Sequence, residues 1–278
     1  MDRQETLQRI ADEAAAGNLW FPTNASVALR IRQLLDDPEC HIDEAARLVQ
    51  SEPLLAARVV AIANSVAFNR SGRDISDVRT AVARLGFRTV RTLATGLATR
   101  QLAGARKDPA HRALAERLWE HTAHVAALAH VLARRVTKQD ADAAMFAGVV
   151  HEVGSFYLLS RIDDPAALFA ESPDDWAGEW EPRLGSAVLG ALGVPEPIVR
   201  GIAAIWEGYL AFPPASFGDT LVLADQLAPI ESPFRHRADT DRQVAAGAID
   251  SQVDGVTLGA IVAESAHEVD SLVGALRF

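Results

Sequence analysis

The sequence is poorest in cysteine: Cys40 is alone among 278 residues. That excludes an intramolecular disulfide and any cysteine-rich zinc cage. Aromatic residues make up only 6 %, against 49 % hydrophobic residues overall, with alanine abundant. Small apolar side chains favour closely packed helices over sheets. The opening MDRQETLQRIADEAAAG is charged throughout and lacks the apolar block of a secretory signal. No apolar run approaches the roughly 18 residues of a membrane span, so a soluble, cytoplasmic protein without membrane contact is expected. Also missing are a P-loop, a dinucleotide fingerprint, a nucleophile elbow, internal repeats and low-complexity tracts. The length suits one large or two smaller packed units.

Charge is unevenly spread. The net value is −10, yet residues 51–110 hold ten cations against four carboxylates, a balance of +6 that leaves −16 for the remainder. Such asymmetry can mark a surface for an acidic partner or nucleotide; the plainer reading is a set of solvated helix faces. The arginines are not interleaved with aromatics, and the acidic remainder repels polyanions, so nucleic acid is not expected as a partner.

Nearly every segment reads as helix. Residues 3–16 form a polar amphipathic candidate. In FPTNASVALRIRQLLDDP, Thr23 or Asn24 is the expected N-cap, with Val27, Ile31, Leu34 and Leu35 as the apolar stripe. A short helix covers about 43–50. The next is capped by Ser51, with Pro53 in its first turn, where the missing N–H costs nothing. Gly86 is placed to end a helix that Ser76 opens, and another runs over about 87–102. A long helix starts at Asp108-Pro109 and runs to about Val136, its stripe being Leu114, Leu118, Val125, Leu128 and Leu132. His121 bridges the gap in that stripe and should face inward, whereas His124 and His130 fall off it. A lone inward histidine is most often a hydrogen-bonded core residue. A further helix reaches His151-Glu152, with Gly154 as its stop, and others cover about 175–192, 195–209 and 218–228. In the last of these, Asp225 falls on the buried side, a costly place for an unpaired carboxylate. The tail begins polar and irregular, ESPFRHRADTDRQ, and ends helix-like, LGAIVAESAHEVDSLVGAL.

Three inward features combine: His121 on one helix, His151-Glu152 on a second and Asp225 on a third. Imidazole nitrogen and carboxylate oxygen on facing helices suit a divalent transition metal. This order of residues resembles the HD phosphohydrolase superfamily. Within it, the stretch from about 20 to 215 resembles an HDOD domain, through LLDDP, SEPLLAARVVAIANS, AVARLGFRTVRTLA, LWEHTAHVAALA, AGVVHEVG and LGALGVPEPIVRGI. The resemblance implies an all-α fold of two lobes, about 20–105 and an HD-like helical bundle over about 106–230. A helix at 1–19 would precede them, and a polar segment with a helix would follow over 231–278. It also implies a bacterial signalling role, such domains standing alone or beside receiver, cyclic-di-GMP or kinase modules.

The departures from the active pattern shape the functional expectation. Glu152 stands where active HD enzymes carry aspartate, and one extra methylene moves the carboxylate by more than about 1 Å, which catalytic geometry tolerates poorly. Gly154-Ser155 replaces the Gly-Lys of HD-GYP phosphodiesterases, removing a phosphate-facing cation. Glu181 and Trp206-Glu207 stand where those enzymes supply histidines for a second metal. Without these groups a phosphodiester site lacks most of what stabilises the transferring group. The expectation is a non-catalytic regulatory module working through other signalling proteins, with no required cofactor; a residual divalent metal or a small nucleotide is the ligand the resemblance leaves open. The alternative is a metal-dependent phosphohydrolase acting on a nucleotide or cyclic dinucleotide. For partner contact the candidates are Arg88 and Arg91, three residues apart on one helix and suited to bidentate capture of carboxylate or phosphate; the competing reading pairs them with acids of the same chain.

Overall fold

The computed structural model describes residues 3–19, 23–103, 108–165, 176–235, 247, 252–253 and 255–277. Its helices are α1 (Arg3–Ala15), α2 (Thr23–Leu34), α3 (Ile42–Gln50), α4 (Pro53–Ala63), α5 (Val78–Ala103), α6 (Pro109–Leu132), α7 (Ala141–Val150), α8 (Val153–Arg161), α9 (Glu181–Ala191), α10 (Glu196–Glu207), α11 (Phe217–Leu227), α12 (Leu258–Glu264) and α13 (Ala266–Leu276). Among the described residues the sheet content is a two-residue ribbon, Gln252–Val253 against Val256–Thr257. The all-α expectation stands.

Local chemistry sets the helix ends. Asp108 accepts from the backbone N–H groups of Ala110 and His111 and starts α6, with Pro109 in its first turn. Gly86 does break the helical path: at φ 74° and ψ 161° it puts a kink inside α5, a φ that favours glycine. The cap of α4 is Glu52, not Ser51, which instead closes α3. Of the stripe expected for α2, Ile31 and Leu35, the latter just past the helix end, are buried together with Ala28, while Val27 and Leu34 are exposed.

One correction bears directly on the site. Gly154 does not stop a helix. α7 ends at Val150, and after a two-residue break at His151-Glu152 the chain restarts as α8 with Gly154 inside it. The glycine is there for packing: a Cβ at Gly154 would lie 2.9 Å from the backbone of Gly185 on α9. Gly148 has the same role in α7, where a Cβ would come within 2.5 Å of the Ala126 Cα on α6. These two contacts draw α6, α7, α8 and α9 close around the break. Residues 141–161 have the length of a membrane span, and their most apolar 18-residue window has a mean hydropathy of 1.3, contrary to the sequence expectation. Their most apolar window is nevertheless 89 % buried inside the protein, as core helices are.

α5 joins the lobes, packing on α2, α3 and α4 on one side and on α7 and α8 on the other. The flanking segments share the core. Leu7, Ile10, Ala11 and Ala14 of α1 are buried, and Glu13 and Asp12 pair with Arg161 and Arg183. α13 lies along α6 and α4: its Leu276 carbonyl accepts from Trp119 Nε1 at 3.0 Å, and Glu268 pairs with Arg134.

Candidate functional site

α6 supplies His121, the break between α7 and α8 supplies His151 and Glu152, and α11 supplies Asp225. The structure brings all four sequence candidates together, each of them buried. His121 Nε2 stands 3.2 Å from His151 Nε2, 3.3 Å from Asp225 Oδ1 and 3.9 Å from Glu152 Oε1. The other ring nitrogens face backbone carbonyls: His121 Nδ1 is 2.8 Å from Ile230 O, and His151 Nδ1 is 2.7 Å from Gly148 O. A carbonyl only accepts, so each Nδ1 carries a proton and donates it. Both Nε2 atoms are thereby left to face one another. Glu152 is fixed by the Ser155 hydroxyl, which donates to Oε2 at 2.5 Å. The residue that replaces the missing lysine therefore orients the carboxylate.

Two further groups join the cluster. Arg235, from the loop after α11, is partly buried and donates to Glu181 Oε2 at 2.8 Å, with its other terminal nitrogen 3.9 Å from Asp225 Oδ2. Glu181 begins α9 and is itself buried. Arg235 lies in a polar stretch with no periodicity, so nothing in the local pattern points it inward. Glu181 is marked in the sequence only through the family resemblance, and its burial beside Arg235 comes from the structure.

The electrostatics are asymmetric. Burial by itself lowers the pKa of His121, but its hydrogen bond to Asp225 and the charges of Asp225 and Glu152 overcome this and raise it above the ordinary value. His151 is lowered by burial and by the charge of His121. One imidazolium beside one neutral imidazole satisfies the 3.2 Å contact, with His121 Nε2–H facing the bare His151 Nε2 and Asp225. Burial opposes ionisation of Asp225 and Glu152, yet the histidines and Arg235 hold both below the usual carboxylate range. Burial pushes Glu181 up to about 7, partly offset by Arg235. With His121 and Arg235 positive and Asp225 and Glu152 negative, the cluster is neutral below the Glu181 pKa and carries one negative charge above it.

The profile of the HDOD domain matches residues 21–206. The chain belongs to the HDOD family. No curated protein matches it. Three solved structures share its fold. A Shewanella amazonensis protein, provisionally named a metal-dependent phosphohydrolase, superposes with TM-score 0.74 at 17 % identity over 99 % of each chain. A Geobacter sulfurreducens HDOD domain protein of unknown function gives 0.65 at 24 % identity, covering 99 % of this chain and 98 % of that one. A Marinobacter aquaeolei protein, provisionally named a signal transduction protein, gives 0.57 at 18 % identity, covering this whole chain and 67 % of its own.

The donor set of this HDOD domain fits one divalent ion. Ligand atoms of His121, His151 and Glu152 lie within 4.8 Å of one another. Two nitrogens on one tetrahedral zinc stand roughly 3.3 Å apart, close to the observed spacing. Among the described residues no second such group of ligands is found, and Glu181 is held by Arg235.

The partner candidates Arg88 and Arg91 lie outside this cluster and are engaged within the chain. Arg88 binds Asp140 at 2.6 Å and Asp142 at 3.0 Å, and Arg91 binds Asp36 at 2.5 Å. His130, expected off the inward stripe, is in fact buried, its ring 5.6 Å from that of Phe68 and its Nδ1 3.2 Å from Ala141 O. Its neighbours come from the loop after α4 and from the start of α7, which a single-helix stripe does not reveal.

Proposed function

We propose that this HDOD domain is a non-catalytic regulatory module of bacterial signal transduction, in which the His121–His151–Glu152–Asp225 cluster holds the second lobe together. The observation that carries the reading is Arg235, whose partly buried guanidinium reaches Glu181 at 2.8 Å and Asp225 at 3.9 Å. The carboxylates are compensated by the protein's own cation, so folding does not leave a negative hole that only metal can fill. The name of the Marinobacter protein supports a signalling role, and contact with other signalling proteins is part of the proposal. Arg88 and Arg91 remain its candidate partner surface, where an incoming carboxylate or phosphate would compete with Asp140, Asp142 and Asp36.

One observation favours the alternative, a metal-dependent phosphohydrolase acting on a nucleotide or cyclic dinucleotide: the two Nε2 atoms converge at a spacing suited to one ion. Such an ion would polarise a phosphoryl oxygen or acidify a water. His121 would first have to give up its Nε2 proton, and His151, Glu152 and Asp225 would complete the set. Metal analysis of the purified protein, with turnover of p-nitrophenyl phosphate, bis-p-nitrophenyl phosphate and cyclic-di-GMP in manganese or magnesium, separates the two readings. No metal-dependent turnover is expected. The single variant Glu152→Asp should also stay inactive, because groups acting as one catalytic unit are not restored one at a time. Robust hydrolysis by either protein would overturn the regulatory reading.

A further inference from the structure

A second polar region lies between the lobes, away from the buried cluster. A cavity of about 340 Å³ has Phe68 and Arg70 of the loop after α4 and Arg84 of α5 on one side. Across it stand His130 and Arg134, with Asp140 and Asp142 at the start of α7. Its volume is within the range of roughly 300–1,000 Å³ typical of small-molecule sites.

Its polar groups are not used up by the fold. Arg70 makes no hydrogen bond or ion pair among the described residues. Arg134 gives one terminal nitrogen to Glu268 at 2.5 Å, leaving its other N–H groups. Arg84 is anchored by two carbonyls, Ala63 O at 2.9 Å and Arg73 O at 3.0 Å, and so contributes a fixed positive charge. Asp140 and Asp142 also line the cavity, and Arg88 pairs with both carboxylates. His130 is 5 % exposed, and its Nδ1 is committed to the Ala141 carbonyl, so Nε2 has no partner among the described residues. Burial lowers its pKa, which keeps the ring neutral and Nε2 a hydrogen-bond acceptor at neutral pH.

We propose that this interlobe cavity binds a mononucleotide. Arg70 and Arg134 take the phosphate, and His130 Nε2 accepts a hydrogen bond from a sugar hydroxyl or an exocyclic amine. The site needs a ligand with both an anion and a donor: inorganic phosphate satisfies only the arginines and a nucleoside only the histidine. Phe68 adds an apolar wall against the flat part of the ligand. Because the walls come from both lobes, occupancy would tie the lobes together. This gives the regulatory reading a ligand site but does not depend on it, since binding can be measured in an inactive or an active protein alike.

The experiment is isothermal titration of the full chain with adenosine and guanosine 5′-monophosphates, with the matching nucleosides and inorganic phosphate as controls. At least one mononucleotide should bind roughly tenfold or more tightly than its nucleoside and than phosphate. Arg70→Glu, a change on an exposed loop, should weaken binding by a similar factor with an unchanged melting temperature, and His130→Phe should do so while keeping a ring against Phe68. Phosphate binding as tight as the nucleotides would mean a plain anion site and overturn the ligand class. Nucleotide binding unaffected by Arg70→Glu would overturn the location. No binding of either mononucleotide at millimolar concentration would overturn the proposal whole.

Discussion

Two histidines nine positions apart on α6 sit in opposite surroundings. His121 meets another histidine and two carboxylates, and the nearby guanidinium of Arg235 is itself bound to Glu181. His130 meets a phenylalanine ring, a cavity and arginines with donors to spare. Burial is similar, 1 % and 5 % exposed. What differs is closure. Around His121 each charge has its counter-charge inside the protein, so the polar groups act on stability and uniqueness of packing. Around His130 the counter-charge is incomplete, and the remaining donors and acceptor can act on a ligand. A polar cluster is thus read as structural or binding by asking whether its charges cancel from within, rather than by how deeply it lies.

The sharpest way to break that comparison is to remove the internal cation. Arg235→Met should cost about 3 kcal/mol, because the buried Glu181 loses its cation and Asp225 keeps only the contact with His121. Arg235→Met combined with Glu181→Leu should recover much of the loss, as paired apolar replacements of buried ion pairs do. Urea denaturation of the two variants provides the measurement. A small effect of the single change would mean that the cluster is not closed by this arginine. Comparable in size is His121→Ala, expected to cost about 2–4 kcal/mol through the cavity and the stranded Ile230 carbonyl and Asp225 carboxylate. An unchanged urea midpoint would remove His121 from the structural network.

The pH dependence follows from the same cluster. Glu181 has a folded pKa of about 7 against an ordinary value of 4.5, so between these values the folded state holds a proton that the unfolded state has lost. Stability therefore falls as pH rises through this window, by at most on the order of 3 kcal/mol. The raised pKa of His121 acts in the same direction: its contribution is complete below its unfolded value and is lost as pH rises through the folded one. Asp225 and Glu152, both depressed, act oppositely and lose their contribution as pH falls through their folded values. Glu181→Gln cannot ionise and should flatten the decline between about pH 5 and 7. Urea midpoints across that range test this, and an equally steep decline in the variant would contradict it.

Much of this is legible in the sequence because it depends on period and order. The helices, the inward position of His121 and the meeting of His121, His151, Glu152 and Asp225 follow from spacing and from the HDOD resemblance. What stays hidden depends on contacts between distant segments. Arg235 sits in an irregular stretch and turns inward only because Glu181 and the Ile205 carbonyl receive it. Gly154 reads as a stop, since a glycine after a helical run usually is one; its role is the close approach of α8 to α9. His130 reads as peripheral when its stripe is judged from α6 alone. For Arg88 and Arg91 the sequence leaves partner contact and pairing within the chain both open, because their carboxylate partners lie far away in sequence.

The smallest expected effect comes from Arg88, which also reaches two carboxylates. It holds Asp140 and Asp142 at 2.6 and 3.0 Å, nominally better contacts than those of Arg235. Its side chain is 54 % exposed, however, against 16 % for Arg235. Water screens the exposed pairs and would solvate the freed carboxylates, so Arg88→Met should change stability by no more than about 1 kcal/mol. Its consequence should appear in the cavity instead. Asp140 and Asp142 line that space, and without Arg88 their charge is uncovered beside Arg70 and Arg134. Mononucleotide affinity should then drop severalfold at low salt, with the difference narrowing as salt is raised, since the effect is carried by charge across partly solvated space. Urea denaturation paired with titration at two ionic strengths checks both halves. A large stability loss would place Arg88 with Arg235 as an internal cation, and an unchanged affinity would show that the cavity does not sense the two aspartates.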